Sequence, residues 1–395
     1  MKILFISSQF PNSLEPNRGI FSFQIVKELT FFAEVRVIAP LPTLGWINGL
    51  SRFKKHKADL NVPVYEEFHS IPVYHPRYLA LPKMGLSHQW TFEIALKKLL
   101  YTIQVEWPFD VVNCHWLFPD GVAIQRICRQ MNIPVMLTPL GTDLNTYCDF
   151  KLRRYFISKA LSKAQKVSVL NEQMQAKCIC LGVRSAQLTI IPNGVNLNEF
   201  CILDTLACRK KLNIPPDIKM LLFVGSLVPV KNISTLLKAF ALLNSKDSTP
   251  DTKLYIVGGG FLEKELKTLA HELKVAEKTV FVGSVLHSDL PTWMNAADCL
   301  CLPSLSEGHP NVMMEALACG TPVVGSNVGS IPDFVNTDND NGFVIEATDV
   351  KGIAEKLLFC LTQKYSNDAV RQSVLQHSWQ NCAKRYAGEL RQLFC

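Results

Sequence analysis

The stretch that decides the fold is Pro303-Ser-Leu-Ser-Glu-Gly-His-Pro-Asn-Val-Met-Met-Glu-Ala-Leu-Ala-Cys-Gly-Thr-Pro-Val-Val324. An apolar strand, Cys299–Leu302, ends just before it, and a helical run, Val312–Ala318, lies inside it. Pro310 is expected at the first helical position, where its missing N–H costs nothing. A strand, a loop, a helix and a second strand in this order are typical of a parallel sheet flanked by helices.

The same alternation of short apolar runs and amphipathic stretches continues along the chain in two series. The strands predicted for the first series are Ile3–Ile6, Val35–Ala39, Val111–Asn113, Pro134–Leu137 and Val167–Val169. Those predicted for the second are Leu221–Val224, Lys253–Val257, Thr279–Val282, Cys299–Leu302, Pro322–Val324 and Gly342–Ile345. The segment Gly45–Pro82 is rich in aromatic residues and proline and is expected to form loops or an insertion.

We therefore predict an α/β protein with two doubly wound, Rossmann-like domains that face each other across a cleft. The N-terminal domain is expected to span 1–197 and the C-terminal domain 205–370, with a helical segment at 371–395 closing the chain. A length of 395 residues suits two such domains. Sites in these sheets lie beyond the carboxyl ends of the strands, so the cleft is the expected active site.

Composition narrows the class of protein further. With 48% hydrophobic and 19% charged residues, intrinsic disorder is excluded. No window reaches the ~18 consecutive apolar residues of a membrane span, and Met1–Ile6 is interpreted as a buried strand rather than a secretion signal. The 13 cysteines are odd in number and lack zinc-site spacing, which favours reduced thiols and a cytoplasmic location.

The residues of Pro303–Val324 indicate an anionic, hydroxyl-rich ligand. Asn311 and Val312 lie at the start of the predicted helix, where their N–H groups have no partner within the helix. These N–H groups are expected to face an anion. Glu315, about one turn into that helix, can accept two hydrogen bonds from a vicinal diol such as a ribose. Glu307 precedes the helix and is expected to bind sugar hydroxyls.

Two glutamates separated by seven residues and followed by Ala-Leu-Ala-Cys-Gly-Thr-Pro-Val-Val resemble the signature of family 4 glycosyltransferases, which are retaining enzymes of the GT-B fold. The resemblance extends over most of the chain, through Arg18-Gly19, Asp110–His115, Thr138–Asp143, Ile191–Val195, Phe223–Asn232 and Trp379. Within the family, Trp116–Gly121 looks most like transferases that build bacterial cell-surface polysaccharides of the teichuronic-acid type. The resemblance also implies that the C-terminal helix packs back on the N-terminal domain.

The resemblance implies roles for individual residues. Glu307, His115 and Lys231 are the expected catalytic residues, with Lys231 at the donor diphosphate. The other residues expected at the donor are Gly19, Gly225, Ser226, Gly258, Val285, Gly308, Asn311, Val312, Glu307 and Glu315. In two places the chain departs from the family pattern, because Ser226 stands where an arginine is usual and Leu140 where a histidine is common. Asp143 is expected mainly to brace its turn.

The function this implies is transfer of a sugar, with retention, from a nucleotide-diphosphate sugar to a glycan or lipid-linked hydroxyl. UDP is the expected nucleotide because it is common in the family, and neither a cofactor nor a metal is expected. Asp338-Asn-Asp340 mimics a metal motif but is interpreted as a turn. Two alternatives stay open, namely a nucleotide-sugar epimerase of the same fold and a catalytically inactive sugar-nucleotide-binding protein.

The formal net charge of +7 is unevenly distributed. Basic residues cluster in Arg52–Lys57 and, with aromatic neighbours, along 151–166. Such a surface suits peripheral contact with anionic lipid on the inner face of the cell membrane, although a simply solvated basic face is the alternative. No nucleic-acid recognition motif accompanies the charge, so no nucleic-acid partner is expected.

Overall fold

The computed structural model describes residues 1–16, 18–44, 61–81, 84–246, 249–336 and 340–394. The chain forms two compact units. Unit 1 comprises Met1–Asn193 and Trp379–Cys395, and unit 2 comprises Gly194–Ser378. The helical segment predicted from 371 onward is therefore shared between the two units.

Unit 1 contains a large sheet and a small one. Its strands are β1 (Lys2–Ile6), β2 (Glu34–Ile38), β3 (Leu41–Thr43), β4 (Tyr65–Phe68), β5 (Ile71–Tyr74), β6 (Arg77–Leu79), β7 (Val111–His115), β8 (Val135–Thr138), β9 (Lys166–Val169) and β10 (Leu188–Ile190). The large sheet has the order β10-β9-β8-β7-β1-β2-β5-β4, and β3 pairs with β6. Every pair in the large sheet is parallel except β4 with β5.

Helices cover both faces of this sheet because its central strands are apolar on both sides. The helices are α1 (Ile20–Leu29), α2 (His88–Glu106), α3 (Val122–Met131), α4 (Thr142–Asn145), α5 (Lys151–Lys163) and α6 (Glu172–Cys180). In β1, Leu4 and Ile6 pack into the core that α2, α3 and α5 cover, whereas Ile3 and Phe5 pack with α1. An uninterrupted apolar strand is typical of a sheet buried on both faces.

Part of the segment Gly45–Pro82, which was expected to form loops or an insertion, has regular structure. Tyr65–Tyr74 forms the antiparallel hairpin β4–β5, which extends the large sheet. Its turn residues, His69 and Ser70, both have positive φ. Neither is glycine, so the sequence lacks the usual signal for a tight hairpin. Residues 45–60 and 82 lie outside the described part of the chain.

Unit 2 repeats the architecture with six parallel strands. They are β11 (Lys219–Val224), β12 (Thr252–Val257), β13 (Thr279–Gly283), β14 (Cys299–Leu302), β15 (Val323–Ser326) and β16 (Gly342–Ile345), in the order β13-β12-β11-β14-β15-β16. The helices are α7 (Thr205–Lys211), α8 (Ile233–Asn244), α9 (Glu263–Glu272), α10 (Leu290–Ala296), α11 (Asn311–Ala318), α12 (Ile331–Phe334), α13 (Val350–Thr362) and α14 (Asn367–Gln372). Cys299 and Cys301 are buried strand residues of one core, as predicted.

The last helix, α15 (Trp379–Arg391), returns to unit 1 and covers the same face of the sheet as α1. Its buried residues Trp379, Cys382 and Tyr386 join the core formed by Ile3 and Phe5. The predicted packing of the C-terminal helix on the N-terminal domain is confirmed. Within the described residues, no helix has both the length and the apolar character needed to cross a bilayer.

Candidate functional site

In unit 2 the order of strands changes direction at β11. This strand pairs with β12 on one side and with β14 on the other, so the loops that leave β11 and β14 diverge above the sheet. Such a switch point opens a crevice at the carboxyl edge of a parallel sheet. The loop after β11 carries Gly225, Ser226 and Lys231, and the loop after β14 carries Glu307 and Gly308.

Lys231 and Glu307 meet across this crevice. The Lys231 Nζ lies 2.6 Å from the Glu307 Oε1, although the residues are 76 positions apart in sequence. Their side chains are 23% and 11% exposed. A partly dehydrated ion pair is more strongly coupled than a surface pair. The structure thus brings together two of the three residues predicted to be catalytic.

Close backbone packing shapes the loop after β11. A Cβ on Gly258 would lie 2.0 Å from the Gly225 carbonyl oxygen, and Gly258 also has a φ of +133°. A Cβ on Gly260 would lie 2.4 Å from the oxygen of Leu227. Because only glycine permits such approach, the Gly258 loop acts as a support on which the Gly225 loop rests. This supporting role was not predicted. The contact of Gly258 with the nucleotide stays a prediction.

Glu315 is held by a histidine that was not among the predicted site residues. The His287 Nε2 lies 3.0 Å from the Glu315 Oε1, and its Nδ1 lies 3.7 Å from the Glu199 Oε1. Burial alone would lower the pKa of His287, but the hydrogen bond to Glu315 and the charges of Glu315 and Glu199 raise it overall. The His287 ring therefore connects the predicted ribose ligand to the chain segment before α7.

The first turn of α11 lies directly after the Glu307 loop. Pro310 precedes the helix as its N-cap, so the prediction that it occupies the first helical position is wrong by one residue. Its ψ of 105° is extended, and the helix begins at Asn311. A Cβ on Gly329 would lie 2.6 Å from the Gly308 oxygen, so the loop before α12 packs tightly on the Glu307 loop. The first turn of α11, with Asn311 and Val312, thus follows a loop whose backbone is held by close packing against Gly329.

The two remaining predicted donor residues of unit 2 lie on its loops. Ser226 is exposed and follows Gly225 directly. Val285 is half-buried and packs against the core that contains α11. Their predicted contacts with the donor stay predictions.

In unit 1 the carboxyl edge of the sheet is organised by a buried carboxylate that was not predicted. Asp120 accepts hydrogen bonds from the Ser8 amide at 2.6 Å and the Ser8 hydroxyl at 3.1 Å. Burial raises the pKa of Asp120 to about 7. Gly19 is the N-cap residue before α1 and has a φ of +57°, and a Cβ there would lie 2.2 Å from the Gln9 oxygen. Asp120 and Gly19 together hold the loop after β1.

His115 ends β7 and lies inside unit 1. It is 3% exposed and packs against the rings of Phe5 and Tyr386, with centroid distances of 4.6 and 5.7 Å. Neither ring nitrogen has a hydrogen-bond partner among the described residues. Burial lowers the pKa of His115 to about 3, so the imidazole is neutral at physiological pH. Its predicted place at the reaction centre stays a prediction.

Asp143 braces its turn, as expected. Its side chain accepts hydrogen bonds from the amides of Leu117, Leu140, Gly141 and Leu144 at 2.8–3.1 Å. Four backbone donors satisfy a fully buried carboxyl group. Leu140 is thereby held through its backbone.

Two predictions concern segments that lie partly or wholly outside the described part of the chain. The basic segment Arg52–Lys57 and the first two residues of Asp338-Asn-Asp340 fall there. Asp340 itself accepts a hydrogen bond from the Gln363 Nε2 at 2.9 Å. Over the described ranges, no group of three or more His, Cys, Asp or Glu residues is placed to hold a metal ion.

Comparison with known protein families and proteins gives matches over both units. The model "Glycosyl transferases group 1" matches residues 204–376, and "Glycosyl transferase 4-like domain" matches residues 28–194. A Bacillus subtilis protein named as a teichuronic acid biosynthesis glycosyltransferase, TuaC, is 30% identical over 338 residues. The alignment covers 84% of this chain and 82% of TuaC.

Solved structures share the fold. Sucrose-phosphate synthase from Thermosynechococcus elongatus aligns with a TM-score of 0.82 at 22% identity, covering 100% of this chain and 99% of that one. Anabaena HepE in complex with UDP aligns with a TM-score of 0.76 at 20% identity, covering 100% of both chains.

Proposed function

The chain belongs to the group 1 glycosyltransferases and is a transferase of the GT-B fold, and on this premise we propose that it moves a hexose from a nucleotide-diphosphate sugar to a hydroxyl of a glycan or lipid-linked acceptor. Transfer proceeds with retention at the anomeric carbon. The observation that carries the proposal is the Lys231–Glu307 pair at the switch point of unit 2. It offers a cation for the diphosphate beside a carboxylate for sugar hydroxyls.

Charge stabilisation is the main catalytic device in this mechanism. The acceptor oxygen forms a bond to the anomeric carbon on the face from which the diphosphate leaves, the bond from that carbon to the diphosphate breaks, and the acceptor proton passes to the departing phosphate oxygen. Lys231 and the first turn of α11 stabilise the negative charge that develops on the leaving group. Glu307 orients the sugar, and Glu315 accepts hydrogen bonds from the ribose hydroxyls.

Several features support a UDP-sugar as the donor and a reaction without metal or cofactor. HepE, which shares the fold, is solved in complex with UDP and with UDP-glucose. Lys231 and the amides at the start of α11 supply positive charge where a metal-dependent transferase would place its ion. Ser226 replaces the family's second cation with a hydroxyl donor. Chelation of metals should therefore leave the transfer rate unchanged.

The similarity to TuaC supports a role in cell-surface polysaccharide synthesis. An acceptor of this kind is a growing glycan or a lipid-linked sugar. We place the protein in the cytoplasm with peripheral contact to anionic lipid at the inner face of the membrane. The basic, aromatic sequence of α5 supports that contact.

The test is a donor panel read by mass spectrometry, with and without membrane extract as the source of acceptor. Wild-type protein should convert one nucleotide sugar into a glycosylated product only when the extract is present. Lys231→Ala and Glu307→Ala should abolish transfer while the fold survives. The matched control is Lys267→Ala, because Lys267 forms an ion pair of the same 2.6 Å length with Glu263 on α9.

The outcomes separate the alternatives. Full activity of both site variants would refute the assignment of the donor site. Conversion of the donor without acceptor would favour an epimerase. Binding without turnover would favour an inactive binding protein, for which Leu140 and Ser226 are the sequence arguments.

A further inference from the structure

One face of unit 1 carries a large excess of positive charge. Helices α2, α3 and α5 lie side by side on the sheet, joined by the ion pair of Glu93 with Arg126 and by the ring contact of Trp90 with Phe156. These three helices contain nine lysines and arginines and two glutamates. Their excess of seven positive charges equals the formal net charge of the whole chain.

The same face exposes large apolar side chains. On α2, Trp90, Ile94, Tyr101 and Val105 are 47%, 78%, 43% and 83% exposed. Steps of four and seven residues keep these side chains on one side of a helix. An amphipathic helix normally turns such a stripe toward the core. An exposed stripe therefore marks a surface that another molecule covers when the protein functions.

Two neighbouring cavities combine these properties. The basic cavity, of about 410 Å³, lies between α3 and α5 and is lined by Arg126, Arg129, Lys159 and Lys163 together with Phe156, two glutamines and apolar residues. The apolar cavity, of about 670 Å³, is lined mainly by Met84, Leu86, Trp90, Phe150 and Leu152, and Lys151 and Arg153 also line it. No carboxylate lines either cavity among the described residues.

One aromatic pair connects the cavities. Trp90 lines the apolar cavity and Phe156 the basic one, and their rings meet edge to face at 5.9 Å. The Arg126 guanidinium lies 5.5 Å from the centre of the Phe156 ring, and Arg153 lies 4.6 Å from that of Tyr147. Cations held on ring faces are partly shielded from water, which strengthens their attraction for an anion.

We propose that this docking face, formed by α2, α3 and α5 with Met84–Ser87 and Phe150, binds the surface of an anionic phospholipid bilayer. Lipid phosphates enter the basic cavity, and Trp90, Phe150 and Leu152 reach the boundary of the acyl chains. The inference rests on the membrane contact of the proposed function and assigns it to particular residues. A bilayer satisfies both properties of the face, whereas a nucleic acid would leave the apolar stripe exposed.

The test is co-sedimentation of the full chain with vesicles of equal parts phosphatidylglycerol and phosphatidylcholine, and with vesicles of phosphatidylcholine alone. Wild-type protein should bind only the anionic vesicles, and less so at high salt. The double variant Lys159→Glu/Lys163→Glu should bind at least about 25-fold more weakly, at about fivefold for each lysine lost. Its control, Lys238→Glu/Lys264→Glu in unit 2, makes the same change of charge and should bind like wild type.

A second pair of variants tests the apolar contribution. Leu152→Ser should weaken vesicle binding, whereas Phe359→Ser, at an equally exposed position on α13, should not. The proposal would be overturned if wild-type protein does not bind anionic vesicles, or if a variant and its control lose vesicle binding equally. Tighter binding of an RNA oligomer or of inorganic phosphate than of vesicles would overturn it as well.

Nucleotide binding separates this proposal from the proposed function. UDP affinity is measured for the same proteins without vesicles, and the docking variants should match wild type. Absence of UDP binding in wild-type protein would count against the donor site and not against the docking face. Loss of vesicle binding with intact UDP binding is the result expected for the docking variants.

Discussion

Replacement of His287 by glutamine tests whether the imidazolium positions Glu315 for the donor ribose. Glutamine can still donate a hydrogen bond to Glu315, but it carries no charge, and its single nitrogen cannot replace the two ring nitrogens that face Glu315 and Glu199. A hydrogen bond to an ionised group contributes about 1.5–3 kcal/mol, and the His287 side chain is only 23% exposed. We expect the ribose hydroxyls to lose about tenfold in their contribution to affinity, which corresponds to ~1.4 kcal/mol.

The effect should depend on pH in one direction. Because Glu315 and Glu199 raise the pKa of His287 above its ordinary value of 6.5, the charged clamp is fully present below pH 6.5. It is lost as pH rises through the raised pKa, since the neutral ring keeps only one N–H. The groups that face the ring from neighbouring segments are Glu315 of α11 and Glu199.

The assay is the ratio of the dissociation constants of 2′,3′-dideoxy-UDP and UDP, measured by calorimetry between pH 6 and 8.5. The ratio isolates the ribose hydroxyls and cancels the titration of the phosphates. In wild-type protein it should fall with rising pH, and in His287→Gln it should be low and flat. His271→Gln, an exposed histidine on α9, is the control. A ratio in His287→Gln that follows wild type at every pH would refute the reasoning.

Three further predictions concern stability and loop geometry. Gly258→Ala should destabilise unit 2 by about 3 kcal/mol or more and weaken UDP binding, because its Cβ would overlap the Gly225 oxygen. Gly283 also has a positive φ, but no atom of the described residues beyond its chain neighbours lies within 4 Å of the position that a Cβ would take, so Gly283→Ala should cost only about 1–2 kcal/mol in urea unfolding. Burial raises the pKa of Asp120, so the folded state binds more protons than the unfolded state and loses stability as pH rises from about 4 to 7. Asp120→Asn should flatten this loss of stability, as measured by hydrogen exchange of β1. Tyr386→Ala should destabilise unit 1 by about 3–5 kcal/mol, as measured by the thermal midpoint.

The sequence allowed the main elements to be predicted because their signals are local. Each buried strand of the two series is a short apolar run, and Gly225 and Pro310 mark loops by their own conformational limits. Lys231 and Glu307 were each expected at the donor from their own motifs, and their loops follow adjacent strands of one sheet. The ion pair between the two side chains was not predicted.

The parts that could not be predicted depend on contacts between distant segments. Ser8 and Asp120 are 112 positions apart, and no local pattern connects them. Glu199 lies between the two predicted domain spans, and nothing in the neighbouring sequence indicates its contact with His287. Gly258 was interpreted as lining a nucleotide, whereas its backbone approach to Gly225 is visible only in three dimensions.

The measurement that tests the donor site most directly is the dissociation constant of UDP for wild-type protein, Lys231→Ala and Lys267→Ala. Loss of a charge-assisted contact with the diphosphate should weaken binding by Lys231→Ala about 10- to 150-fold, from about 1.5–3 kcal/mol. Lys267→Ala should bind UDP as wild type does. Equal affinity of Lys231→Ala and wild type would contradict the assignment of the diphosphate to the crevice between β11 and β14.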